Sequence, residues 1–225
     1  MPFWTFAVRS IVEAMAHKKS KQAILISVFV LIMFLILVKV LVGNHVQDMT
    51  DKRYEYAVSQ FIDFRSYGPQ ENKFPSAAFF DPEGKKVTIE TYKGGYVLLN
   101  FWATWCPACV KELPSLQKLS RTFAEKKYPV KVIALSLDRE KTGADLVDFL
   151  IKYDIEPFAL YHDREKTVSL SYPIGGMPTT FLVDPNGYIR YEFLGEADWM
   201  NYALIDMLSE NFENYATQQK LQNSP

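Results

Sequence analysis

Cys106 and Cys109 are the only cysteines in 225 residues, and two residues separate them. They stand where an apolar run, Tyr96 to Trp102, gives way at Pro107 to a stretch with helical patterning. Two thiols three apart at the start of a helix lie on one face, so they can close into a small disulfide ring and reopen. The unbonded N–H groups and the dipole of a helix N-terminus favour a thiolate there. This assigns Cys106 as the attacking nucleophile and Cys109 as the resolving thiol. The competing chemistry is a half zinc site. A structural zinc takes four Cys or His ligands, and His17, His45 and His162, the three histidines present, are not paired at ligand spacing. The strand–CxxC–helix context selects redox exchange, with no metal. Free cysteine titrates near ~8.5, and a helix start can bring this to about 7 or lower. Pro107 has no N–H to offer a thiolate, so the lowering expected at Cys106 is moderate. Trp105 shapes the rim of the site, and Trp102 is read as core.

These residues need a strand to end at the site and a helix to begin there. Tyr96 to Trp102 fits a strand buried on both faces, and Pro107 to Lys127 a helix with Pro114 inside it, where a kink is expected. Before it, Lys86 to Glu90 alternates like an edge strand, with Phe79-Phe80 as its hairpin partner and Asp81-Pro82-Glu83-Gly84 as the turn. After it, Val130 to Leu137 reads as a buried strand, Ala144 to Tyr153 as a helix, Phe158 to Tyr161 as a strand and Glu165 to Tyr172 as a short helix. Such alternation implies parallel pairing. Thr179 to Val183 and Tyr188 to Phe193 flank Pro185-Asn186-Gly187, a hairpin signal. The last helix is expected from Asp198, a plausible N-cap, with Met200, Leu204, Met207, Leu208 and Phe212 on one face.

The N-terminal fifth is different. Residues 1–22 form a basic leader with Arg9, Lys18, Lys19 and Lys21, and residues 23–42 read AILISVFVLIMFLILVKVLV. Twenty apolar residues are enough to cross a bilayer as a helix, and no small-x-small cleavage site follows Val42, which favours an anchor over a signal peptide. Basic residues before the span predict a cytoplasmic N-terminus. Residues 43–74 form a stem. Tyr54, Val58, Phe61 and Ile62 fall at helical spacing, so a helix is expected over Asp48 to Phe64, its stripe on the domain or the membrane surface. The composition is 48% hydrophobic and 15% aromatic with net charge −1, which is globular and argues against a nucleic-acid partner. Two cysteines are too few for a disulfide scaffold.

Phe101-Trp102-Ala103-Thr104-Trp105-Cys106-Pro107-Ala108-Cys109 resembles the active-site segment of TlpA/ResA-like membrane-anchored thioredoxins. Ala78 to Gly84 with Tyr92-Lys93-Gly94 resembles the opening hairpin of that family, and Gly176-Met177-Pro178-Thr179-Thr180-Phe181-Leu182-Val183-Asp184 its second active-site loop. The resemblance implies an α/β thioredoxin-like fold, a central mixed β-sheet flanked by helices, over residues 75–215, with one N-terminal transmembrane helix and a flexible tail at 216–225. It implies that Pro178 is a cis-proline beside the disulfide. Trp105, Pro107, Met177 and Thr179 would then meet the substrate, with the Met177 backbone free to pair with an extended segment. The buried acid that thioredoxin carries six residues before its first cysteine is replaced by Asn100. Glu112, three after Cys109 on the same helix side, is the candidate proton acceptor.

The implied activity is thiol–disulfide exchange without a cofactor, as a reductase of extracytoplasmic disulfides on copper-delivery or cytochrome assembly proteins. The protein would be re-reduced by a membrane electron-donor thiol protein, and held at the inner membrane by a single pass with the catalytic domain on the periplasmic side. Pro107-Ala108 and Thr179 stand where relatives dedicated to cytochrome c maturation often carry an acidic residue, which weakens the haem-attachment role. The alternatives are a net thiol oxidase or isomerase, and a copper(I) metallochaperone. A peroxiredoxin-like chemistry needs Pro-xxx-Thr-xx-Cys, and Leu99 and Ala103 stand at its proline and threonine places.

Overall fold

The computed structural model describes residues 4–158 and 160–222, with side chains for 27–158 and 160–221. The side chains of Arg9, Lys18, Lys19 and Lys21, expected to orient the anchor, lie outside the described residues, as do those of 23–26 and residues 223–225. Two compact units are present, residues 1–52 and 53–225. A single helix, α1 (Trp4–Val58), supplies all the described residues of the first. From Val28 to Val42 its large apolar side chains are exposed to solvent. A helix this long and this apolar fits a single-pass membrane anchor.

The second unit begins at Arg53, inside the stretch 43–74 read as a stem. The helix expected over Asp48 to Phe64 stops at Val58, and Asp63–Ser66 is instead a strand, β1. The reason is apolar burial. Ala57 and Phe61 are buried, Tyr54, Val58 and Phe64 pack on the same core, and Phe64 sits against Tyr191 and Phe193. Pairing β1 to the sheet edge satisfies its backbone while placing these rings. Ile62, expected in the stripe, points outward and is 82% exposed.

The sheet has eight strands. They are β1, β2 (Phe79–Phe80), β3 (Lys86–Val87), β4 (Tyr96–Trp102), β5 (Val130–Ser136), β6 (Leu160–His162), β7 (Thr179–Val183) and β8 (Ile189–Leu194), in the spatial order β1-β8-β7-β4-β5-β6-β2-β3. β4 pairs parallel with β5 and antiparallel with β7, so the sheet is mixed. Residues Ile89–Tyr92 close a 3-10 turn, which shortens the edge strand expected to run to Glu90. Gly187 takes φ 88° in the β7–β8 hairpin, the conformation that the Asn-Gly pair supplies.

Successive residues of a strand face opposite sides. In β4, Tyr96, Leu98 and Trp102 enter one apolar layer, and Val97, Leu99 and Phe101 enter the other. The first layer is covered by α2 (Pro107–Glu125) and α5 (Tyr202–Gln222). On α2, Cys109, Glu112, Leu113 and Leu116 fall at helical spacing and are all buried. Two further helices, α3 (Gly143–Lys152) and α4 (Thr167–Ser171), flank β6. α5 departs from expectation at both ends. Asn201, not Asp198, caps it, with its Oδ1 accepting the Ala203 N–H at 2.9 Å. The polar stretch from 216 continues the helix to Gln222, because Gln, Lys and Leu are good helix formers that need no buried face.

Candidate active site

Cys106 is the N-cap of α2. Its Sγ accepts the Cys109 N–H at 3.2 Å, and Pro107 occupies the first helical turn, where a missing N–H costs nothing. The two sulfurs are bonded to each other, with an S–S distance of 2.03 Å and Cα atoms 5.3 Å apart. Cys109 is fully buried and Cys106 nearly so, at 6% exposure, while Trp105 and Pro107 beside them are open to solvent. The Met177–Pro178 peptide is cis. Pro178 is buried and its carbonyl accepts the Gly195 N–H at 2.9 Å. Met177 is partly exposed, and among the described residues its backbone makes no hydrogen bond.

Thr179 is not at the surface where the resemblance would put a substrate contact. Its side chain is turned inward, and the hydroxyl donates to the Gly176 carbonyl at 2.8 Å. A β-branched residue starting a strand can staple the preceding loop in this way, so it shapes the Met177 loop from behind.

Glu112 is buried on the α2 face that carries Cys109. Three donors converge on it. The Asn100 side-chain amide donates to Oε1 at 2.7 Å, and the Ala197 N–H and the Trp199 indole N–H both donate to Oε2 at 3.1 Å. Strand parity explains the first contact. Asn100 stands opposite Thr180 in the β4–β7 register, both on the side covered by α2, and its Nδ2 also donates to Thr180 Oγ1 at 2.9 Å. Burial pushes the Glu112 carboxyl up to about 7. The bonds from Asn100, Ala197 and Trp199 hold it down in part, and the neighbouring Glu196 adds to the rise. Lys111 pairs with Glu196 on the outer surface above it. The site can therefore hold or release a proton near neutral pH within one helical turn of Cys109.

A second buried carboxylate braces the opposite edge. Asp138, just after β5, accepts the Thr104 N–H at 2.9 Å, the Thr104 hydroxyl at 2.7 Å and the Ser136 hydroxyl at 2.9 Å. This ties down Thr104, two residues ahead of Cys106. Sequence reading passed over Asp138, Trp199 and the donor role of Asn100. A signal was available for Asn100 and Thr180, since polar residues inside the apolar runs LLNFW and TTFLV must find partners once buried. Trp199 lay in a loop, where nothing local marks a partner 87 residues away.

Residues 71–192 match the AhpC/TSA family. A thiol-disulfide oxidoreductase ResA from Bacillus cereus is 36% identical over 122 residues, which is 54% of this chain and 68% of that protein. One from Bacillus thuringiensis is 34% identical over 142 residues, 60% of this chain and 79% of that protein. In three dimensions the chain is similar to the thioredoxin domain of a thiol-disulfide oxidoreductase from Bacteroides vulgatus, with TM-score 0.52 and 27% identity, covering 63% of this chain and 96% of that domain.

Proposed function

The chain belongs to the AhpC/TSA family and is a thiol-disulfide oxidoreductase of the ResA type, and we propose that it works as a reductase of protein disulfides outside the cytoplasm. The observation that carries this reading is the Cys106–Cys109 disulfide at the start of α2, with the buried, hydrogen-bonded Glu112 carboxyl one turn further on.

In the reduced protein the Cys106 thiolate attacks one sulfur of a substrate disulfide. A Cys106–substrate bond forms, the substrate S–S bond breaks, and the departing thiolate takes up a proton. Glu112 then accepts the proton of Cys109, and the Cys109 thiolate attacks Sγ of Cys106. The mixed disulfide breaks and the second substrate thiolate leaves and is protonated. Two electrons have passed to the substrate, and the protein is left with its own disulfide. An electron-donor dithiol protein in the membrane restores it. Trp105, Pro107 and the Met177 backbone face the substrate segment, which adds beside Met177 as an extended strand. Pro178 backs that loop against the disulfide. The basic residues before residue 23 favour a cytoplasmic N-terminus, and hence a catalytic unit on the periplasmic side of the inner membrane. Copper-delivery and cytochrome assembly proteins are the candidate substrates.

The test is reduction of a protein disulfide by the full chain in detergent, with Cys109→Ala used to trap partners in the native membrane. Reduction lost in Cys106→Ser and mixed disulfides accumulating in Cys109→Ala support the reading. Reduction retained by Cys106→Ser overturns it. Protease added to intact spheroplasts should remove the catalytic unit, and protection of that unit would reverse the topology.

A further inference from the structure

The exchange mechanism uses only the near wall of a cleft of about 720 Å³ that opens beside the disulfide. Thr104 and Trp105, the two residues ahead of Cys106, and Met177, the residue ahead of Pro178, form its near wall. The loop after β5, Asp145 of α3 and, at α4, Lys166 and Ser169 form the far wall, and these bring three cations, Arg139, Lys141 and Lys166. Resting on the exchange reading above, we infer that this cleft receives an extended segment of the substrate protein carrying Asp or Glu beside its cysteine.

Position is the first reason. A chain laid along the Met177 backbone has its cysteine at Cys106, so its flanking residues pass over Trp105 into the cleft. Trp105 is 65% exposed and offers an apolar floor. The wall under it is fixed, because Asp138 holds Thr104 by two hydrogen bonds.

Charge is the second reason. The cleft lining counts three cations against three acids, Asp138, Glu140 and Asp145, so its formal charge is balanced. The two sets are not equally available. Both Asp138 oxygens are taken by Thr104 and Ser136, and the Asp145 carboxylate accepts the N–H and hydroxyl of Thr142 at 2.7 Å each to cap α3. Arg139, Lys141 and Lys166 form no ion pair among the described residues. Glu140, also exposed, has no partner among the described residues either, so the open groups of the cleft are three cations against one acid. That surplus of donors suits carboxylates, the guanidinium in a two-pronged fashion. Contacts on such an open rim act on partner choice and capture rate more than on raw affinity.

The test uses the full chain, reduced and held in detergent, with two disulfide-linked peptides that differ only in Glu or Lys beside the cysteines, and neutral dithiodipyridine as a third substrate. For the wild type, kcat/KM should favour the Glu peptide by about tenfold at low salt, the size of two exposed ion pairs, and the ratio should fall towards one at high salt. Lys141→Glu with Lys166→Glu should reverse the preference. Arg139→Gln, a milder change in an exposed loop, should reduce it. Equal rates for the two peptides while dithiodipyridine is still reduced overturn the cleft proposal alone. A Glu preference that survives both the charge reversal and high salt also overturns it. Loss of reduction of all three disulfides by the wild type overturns the exchange reading as well.

Discussion

On the inner side of the Cys106–Cys109 bond, Glu112, Asn100, Thr180 and Trp199 are all buried and bonded to one another. On the outer side, Trp105 and Pro107 are open to water, and the Arg139–Lys141 loop lines a cleft. The same two sulfurs thus face a dry polar network in one direction and a wet, mixed surface in the other. The difference separates two tasks. A proton held in a low-dielectric network responds to its immediate donors, whereas a partner met at a wet surface is chosen by shape and charge. Changes on the inner side should alter pH dependence with recognition intact, and changes on the outer side should do the opposite.

The largest effect is expected at the bond that joins the two sides. Cys106→Ser should reduce exchange to background, while Cys109→Ser should stop after the first step and accumulate mixed disulfide. Iodoacetamide at neutral pH should label Cys106 faster than Cys109 in the reduced protein. Faster labelling of Cys109 would exchange the two roles.

Next is Glu112→Gln, which keeps the shape and removes the titration. Loss of a proton acceptor in such a step costs on the order of 10²-fold. The rate of resolution should drop by that amount, and the inflection of the pH–rate profile near 7 should vanish. An inflection that persists would place the titration on another group. The same variant checks stability. A carboxyl raised from 4.5 to about 7 binds its proton more tightly folded than unfolded. Its stabilising contribution is full below about pH 4.5 and is lost as pH rises through 7. Relative to Glu112→Gln, the oxidised wild type should lose up to about 3 kcal/mol across that window, read by denaturant unfolding at each pH.

The sequence carries the outer and inner sides unequally. The CxxC spacing and the Asn186-Gly187 hairpin are local signals that mark their elements directly, and the Gly176–Asp184 loop is marked by the family resemblance. The buried strands and α2 follow from apolar runs and helical spacing, while the mixed order of the sheet comes from the family resemblance. Glu112 could be found because its relation to Cys109 is one helical turn. Trp199 could not, since the contact joins a loop before α5 to the middle of α2. The stem misled for a related reason. Tyr54, Val58 and Phe61 do have helical spacing, but Phe61 packs against Phe193 and Trp199, and that long-range burial, with the edge pairing of β1 to β8, overrides the local pattern after Val58.

Trp199→Phe is a finer probe of the inner side. It keeps most of the ring packing against Phe61 and Phe193 and removes one donor to the Glu112 carboxylate. That donor favours the ionised form, so its loss should move the inflection of the pH–rate profile above 7. A hydrogen bond to a charged group is worth about 1.5–3 kcal/mol, which sets an upper bound of one to two pH units. An unchanged inflection would remove Trp199 from the network.

The smallest effect is expected on the outer side, at Trp105→Ala. Trp105 is 65% exposed and makes no ring contact with another aromatic side chain among the described residues, so truncation should leave stability within about 0.5 kcal/mol. What it removes is an apolar surface under the substrate segment. Burying part of an indole against a peptide at roughly 25 cal/mol per Å² over several tens of Å² gives on the order of 1 kcal/mol. KM for a peptide disulfide should therefore rise about fivefold with little change in the rate of resolution, and the pH profile should keep its inflection near 7. A variant that instead shifts the inflection would mean that water reaches Glu112 once the indole is gone. The dry and wet sides of the disulfide would then be one environment, and the division of tasks between them would fail.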